Sequence, residues 1–175
     1  MAVDAAKARQ LRFYMAPLAV MYCLVTSLGS NGPAHEGRRY QPYRDSSGIW
    51  TVCAGVTGEW VVPARRYTQA ECLQLEQGYV AHMLHAMGDC IDGTFTFNEV
   101  IAWGHFAYNV GTQAFCQSHA ARLLNAGEYQ RACEEMSKWV FVKGKDCRVL
   151  ANRCSGIVAR RAWEQAVCQR ESLTH

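Results

Sequence analysis

HEGRRYQPYRDSSGIWTVCAGVTG, residues 35–58, is the stretch from which the rest of this 175-residue chain is read. It sets Glu36, Asp45 and Thr51 in a short, turn-rich segment, where two carboxyls and a hydroxyl can converge on one small volume. From Tyr40 to Val62 the residues alternate loosely and are rich in Tyr, Trp, Val, Thr and Ile, which predicts two or three short strands. Asp45-Ser46-Ser47-Gly48 is the turn between the first two, and a second turn is expected near Thr57-Gly58. The result is a small sheet, not a sandwich. Paired carboxyls suit cleavage of a glycosidic bond. One acid protonates the leaving oxygen while the other stays ionised, to activate water or attack the sugar.

Downstream of Pro63 the pattern turns helical. Thr68-Gln69-Ala70-Glu71 is a capping box and predicts a helix to about Met87. Thr96-Phe97-Asn98-Glu99 repeats the device. It opens a helix whose Val100, Ile101, Trp103, Phe106, Ala107 and Val110 follow a helical period, as a central core helix would. Ser118 begins a shorter helix that Gly127 ends, and further helices are expected from about Glu128 to Trp139 and from about Gly156 to Arg170. Together these predict an α+β domain with a small antiparallel sheet lobe, a larger helical lobe and a cleft between them.

Upstream, Lys7, Arg9 and Arg12 precede a run from Phe13 to Ala34 without a charged residue, the polarity step with which an export signal or membrane anchor begins. Its apolar part approaches the ~17 to 25 residues that a spanning helix needs. Pro17, Thr26, Ser27 and Gly29 dilute it. A cleaved signal peptide, a permanent anchor, an anchor weak enough to leave the bilayer and a buried core helix all remain open. Residues 1–34 are assigned to this segment and 35–175 to the domain. Asn31-Gly32-Pro33 between them forms helix poorly, so the positioning of Glu36 is expected to depend on where the N-terminal segment lies.

Composition narrows the class. The formal charge is +3, with Lys and Arg scattered and no basic stripe interleaved with aromatics, which argues against a nucleic-acid partner. Nine cysteines in so short a chain point to disulfides and an oxidising compartment. The absence of CxxC, and of a His close to Cys147 and Cys154, argues against a structural zinc site, and no metal or other cofactor is expected. His82, His85, His105 and His119 are read as scattered surface histidines, since nothing pairs them with a nucleophile.

Residues 35–168 resemble the phage-type lysozymes (muramidases), and within them the lambdoid phage endolysins that carry an N-terminal signal-anchor-release segment. The most specific part is E-x8-D-x5-T, present as Glu36, Asp45 and Thr51. AYNVGTQAF at 107–115, RLLNAGEYQRAC at 122–133, Trp139 and RRAWEQAVC at 160–168 support it. The resemblance implies a lysozyme-like fold and hydrolysis of the β-1,4 bond between N-acetylmuramic acid and N-acetylglucosamine of peptidoglycan during host cell lysis, with inversion at the anomeric carbon. Glu36 would be the general acid, Asp45 the opposing carboxylate, and Thr51 a holder of the attacking water. Tyr108, Asn109, Phe115 and Ser118 would line or support the helical side of the cleft, with core roles equally open for Tyr108 and Phe115. Arg161, or failing it Arg160, would lie against the glutamate. An enclosed apolar site would raise the Glu36 pKa and the arginine would lower it.

Relatives without an export segment usually carry glycine where Cys53 stands, so the thiol suggests a cross-link in place of backbone freedom. The pairing preferred with the resemblance is Cys53–Cys72, Cys90–Cys116, Cys133–Cys168 and Cys147–Cys154. Cys23 remains, either as a small membrane-facing residue or as a thiol that exchanges with a domain cysteine. The expected partners are peptidoglycan and, through the N-terminal segment, the host inner membrane. The expected course is from that membrane into the periplasm, as a monomer. A lytic transglycosylase, a catalytically inactive wall-binding module and a membrane-anchored disulfide scaffold are the alternatives.

Overall fold

A computed structural model describes residues 12–13, 23–25, 38–45 and 48–170. Glu36 and most of the apolar N-terminal run lie outside the described residues. Strands β1 (Arg39–Arg44), β2 (Trp50–Cys53) and β3 (Val56–Thr57) form one antiparallel sheet in the order β1-β2-β3. Register pairs Tyr43 with Thr51 and Arg44 with Trp50 in the first hairpin, and Val52 with Val56 in the second. β1 is an edge strand, so Pro42 can sit in it without costing the sheet a donor.

The second turn falls earlier than expected. It is the two-residue connection Ala54-Gly55, and Gly58 instead opens a 3-10 turn, Gly58–Trp60. Two backbone positions allow this: Cys53 at φ 57 and Gly55 at φ 106 both enter the region that glycine occupies most cheaply. For Cys53 the bond to Cys72 holds the residue there, the exchange of backbone freedom for a cross-link that the sequence suggests.

The helical lobe follows. α1 (Gln69–Cys90) and α2 (Phe97–Val110) both start on the predicted capping boxes, with Glu71 and Glu99 backbone amides donating to the Thr68 and Thr96 hydroxyls at 3.2 Å. α2 is buried from Glu99 through Ala107, as expected of a helix enclosed on all sides. Short helices α3 (Thr112–Cys116), α4 (His119–Asn125) and α5 (Tyr129–Glu135) wrap its end, and α6 (Ser155–Cys168) packs along it. The helix expected to reach Trp139 passes at Met136 into a 3-10 turn. A hairpin absent from the sequence reading follows, β4 (Phe141–Val142) and β5 (Lys145–Asp146), turning through Lys143 and Gly144 at positive φ.

Among the described residues of the N-terminal segment, three belong to the core of this lobe. Phe13 packs on Phe95 with ring centroids 4.5 Å apart, and Leu24 and Val25 are buried. Leu24 meets α2 where Gly104 leaves room: a Cβ at Gly104 would lie 2.9 Å from the Leu24 methyls. Among the described residues no helix is long and apolar enough to cross a membrane. The bonded cysteines are Cys53–Cys72, Cys90–Cys116, Cys133–Cys168 and Cys147–Cys154, and Cys23 is in none of these bonds.

Candidate active site

Asp45 and Thr51 are brought together by one residue, Ile49. Asp45 follows β1 and accepts the Ile49 amide on its carboxylate at 2.9 Å, while its own backbone N–H donates to the Ile49 carbonyl at 3.0 Å. Thr51, two residues on and buried in β2, donates its hydroxyl to that same carbonyl at 3.1 Å. The Arg44 guanidinium lies 4.6 Å over the Trp50 ring and donates to the Gly48 carbonyl, closing the turn from outside. Thus a carboxylate and a hydroxyl share the mouth of the first hairpin. Glu36, the third member of the trio, is outside the described residues.

On the helical side, Arg161 is buried in α6 and donates to the Asn109 side-chain carbonyl at 2.6 Å. Its Nε lies 3.1 Å from Glu164, and the guanidinium stands 4.8 Å from the Phe106 ring centroid. So the structure joins two of the predicted helical-lobe residues, Asn109 and Arg161, through the end of α2. Tyr108 also bridges. Its hydroxyl donates to the Ala54 carbonyl of the β2–β3 turn at 3.1 Å, and its ring meets Tyr79 edge-on, which in turn contacts the Thr57 hydroxyl.

Phe115 and Ser118, expected to line or support the cleft, are both buried. Phe115 is fully buried against Phe13, Trp103 and Phe106, so it offers no face to a sugar and belongs to the core. Ser118 is buried and caps α4 by accepting the Ala121 amide at 3.0 Å.

A charged cluster absent from the sequence reading lies behind Arg161. His105 is buried rather than on the surface, with its ring 4.7 Å from that of Trp163. Burial, then Arg160 and Arg161, push its pKa down to about 4. Burial raises the Glu164 carboxyl to about 7 against the pull of Arg161 and Arg160. Burial also lowers Arg161 to about 10, Glu164 opposing. Desolvation acts on both partners of the Arg161–Glu164 pair in the direction of neutrality, yet Arg161 remains a cation at neutral pH.

A second missed pair is Arg38 and Glu76. Glu76 is on the buried face of α1 with Cys72, Val80, Met83, Leu84 and Met87. A carboxylate at that spacing is the signal that sequence alone offered. Its hydrogen bond raises the Arg38 pKa above the usual arginine value.

The phage lysozyme family model matches residues 33–164. A SAR-endolysin of Bacteriophage PS119 is 32% identical over 151 residues, 86% of either chain. A SAR-endolysin of Escherichia phage Mu is 36% identical over 118 residues, 67% of this chain and 68% of that one. Among solved structures, the muramidase domain of SpmX from Asticaccaulis excentricus superposes with a TM-score of 0.68 over 88% of this chain and 97% of its own. At 23% identity that likeness speaks to the fold. The chain belongs to the phage lysozyme family.

Proposed function

We propose that this phage lysozyme is an endolysin that hydrolyses the β-1,4 bond between N-acetylmuramic acid and N-acetylglucosamine with inversion. Glu36 is the general acid that protonates the leaving oxygen. Asp45 is the opposing carboxylate, and Thr51 orients the attacking water. The observation that carries this reading is the convergence of Asp45 and Thr51 on Ile49, the carboxylate accepting its N–H and the hydroxyl donating to its carbonyl, within the E-x8-D-x5-T spacing of a chain that belongs to this family. Arg161, fixed by Asn109 and Glu164, supplies a positive charge at the end of α2 on the helical side of the cleft.

The N-terminal segment carries the enzyme to the inner membrane and then leaves it, so that the enzyme acts in the periplasm. The burial of Phe13, Leu24 and Val25 against the helical lobe supports departure from lipid, because residues packed in the domain are not simultaneously in a bilayer.

Digestion of purified peptidoglycan by wild type and Glu36→Gln tests the chemistry. The wild type is expected to give reducing muropeptides of inverted configuration by NMR, and the variant to lose roughly 100-fold or more in rate. Anhydro sugars would assign a transglycosylase instead, and undiminished lysis by Glu36→Gln would remove the acid from Glu36. Carbonate extraction tests release: soluble full-length protein is expected, whereas a purely integral population would contradict it.

A further inference from the structure

Glu76 is 2% exposed, and a carboxylate there is costly unless its oxygens are satisfied. Three donors satisfy it. Arg38 Nε reaches both oxygens, at 3.1 and 3.3 Å, Arg38 Nη2 donates to Oε2 at 2.9 Å, and the Ala54 amide donates to Oε1 at 3.0 Å. A forked guanidinium on a carboxylate fixes orientation as well as distance.

The places these donors come from give the pair its meaning. Arg38 stands at the head of β1, two residues after Glu36. Ala54 is in the β2–β3 turn, the turn that the Cys53–Cys72 bond ties to α1 one helical turn before Glu76 and that Tyr108 holds from α2. Arg38 is therefore anchored to the element on which both lobes converge. With its Cα placed, chain connectivity alone limits a residue two positions upstream, as Glu36 is, to at most ~7.6 Å from it. Stability is a poor reason for keeping such a pair, since an apolar pair of similar volume commonly serves a fold as well or better.

We infer that Arg38 and Glu76 are positioning residues for the cleavage reaction, fixing the backbone immediately downstream of the catalytic acid. This rests on the reading of Glu36 as that acid.

The test is the double variant Arg38→Met/Glu76→Gln in the full chain. Met fills the arginine stem and Gln keeps an acceptor for the Ala54 amide. The expected result is a Tm near that of wild type with kcat on peptidoglycan reduced roughly 10- to 100-fold and KM little changed, because misplacement of a reacting group acts on the transition state. Wild-type kcat in the folded double variant overturns the inference. Should that variant not fold, Arg38→Lys decides: it keeps the charge and loses the fork, and a fall in kcat at unchanged KM is expected, with wild-type kcat again overturning it. Glu36→Gln assayed in parallel separates the two levels. If Glu36→Gln is inactive and the double variant is fully active, the positioning role alone fails. If Glu36→Gln itself is active, the assignment of the acid fails.

Discussion

The two lobes are held together by different means. The sheet lobe buries a small cluster, Val52, Cys53, Val56, Val61, Tyr67 and Cys72, of which one member already belongs to α1. Too little apolar surface is enclosed there for the strands to stand alone, and the lobe is secured to α1 by a disulfide and by the Thr57–Tyr79 contact, the Glu76 fork adding orientation more than stability. The helical lobe encloses Trp103, Phe95, Phe106, Phe115, Leu84, Met87 and Leu124, with Phe13 and Leu24 added from the N-terminal segment. Volume holds one lobe and specific attachments hold the other, and Asp45 and Thr51 lie on the lobe whose shape depends on a few named bonds.

The largest effect should come from the volume-held side. Leu24→Ala removes a fully buried side chain from its seat on Gly104, and a loss of ~2–5 kcal/mol is expected in denaturant unfolding of the soluble enzyme. A negligible loss would show that the N-terminal segment does not pack there in solution. On the attached side, Cys53→Ala/Cys72→Ala opens a bridge spanning 19 residues and should cost about 3 kcal/mol. Cys53→Gly/Cys72→Ala should recover about 1 kcal/mol of this, because glycine accepts the positive φ at that position. Equal stability of the two double variants would contradict the backbone argument.

A smaller, pH-dependent effect belongs to the buried charges of the helical lobe. Glu164 holds its proton up to about 7 in the folded chain against an ordinary value of 4.5. Its contribution is full below pH 4.5 and disappears as pH rises through 7. His105 behaves oppositely, with a folded value of about 4 against 6.5, so its contribution is present above pH 6.5 and lost as pH falls through 4. Between these limits the two slopes, each up to ~1.4 kcal/mol per pH unit, oppose one another. Melting curves should therefore show Glu164→Gln gaining stability with rising pH, and His105→Gln losing it, across pH 4.5 to 6.5. Parallel profiles for the two variants would exclude this balance. Smallest of all, Thr68→Ala removes the α1 cap at the foot of the sheet lobe and should cost about 1 kcal/mol by thermal unfolding.

Local signals were legible wherever the chemistry is local. Both capping boxes, the turn after Asp45 and the approximate helix spans follow from residues within a few positions of one another. The Ala54-Gly55 turn was misplaced because Cys53, a poor residue at positive φ, is held there by Cys72 from α1. The burial of His105 is not legible from its neighbours in sequence, because it depends on α6 covering α2. For Phe115 the sequence does not choose between sugar and core, because an aromatic side chain carries no mark of which it faces.

The sequence by itself determined the α+β order of elements, the family and the spacing of Glu36, Asp45 and Thr51, since these rest on short-range patterns and on motif order along the chain. Tertiary structure alone decided that Asp45 and Thr51 meet on Ile49, that Arg161 is held by Asn109 from 52 residues away, and that Arg38 is clamped by a carboxylate 38 residues away. The reason is energetic. A buried charge or a strained backbone position is tolerable only when distant groups satisfy it, and which groups arrive is settled by packing rather than by neighbours in sequence.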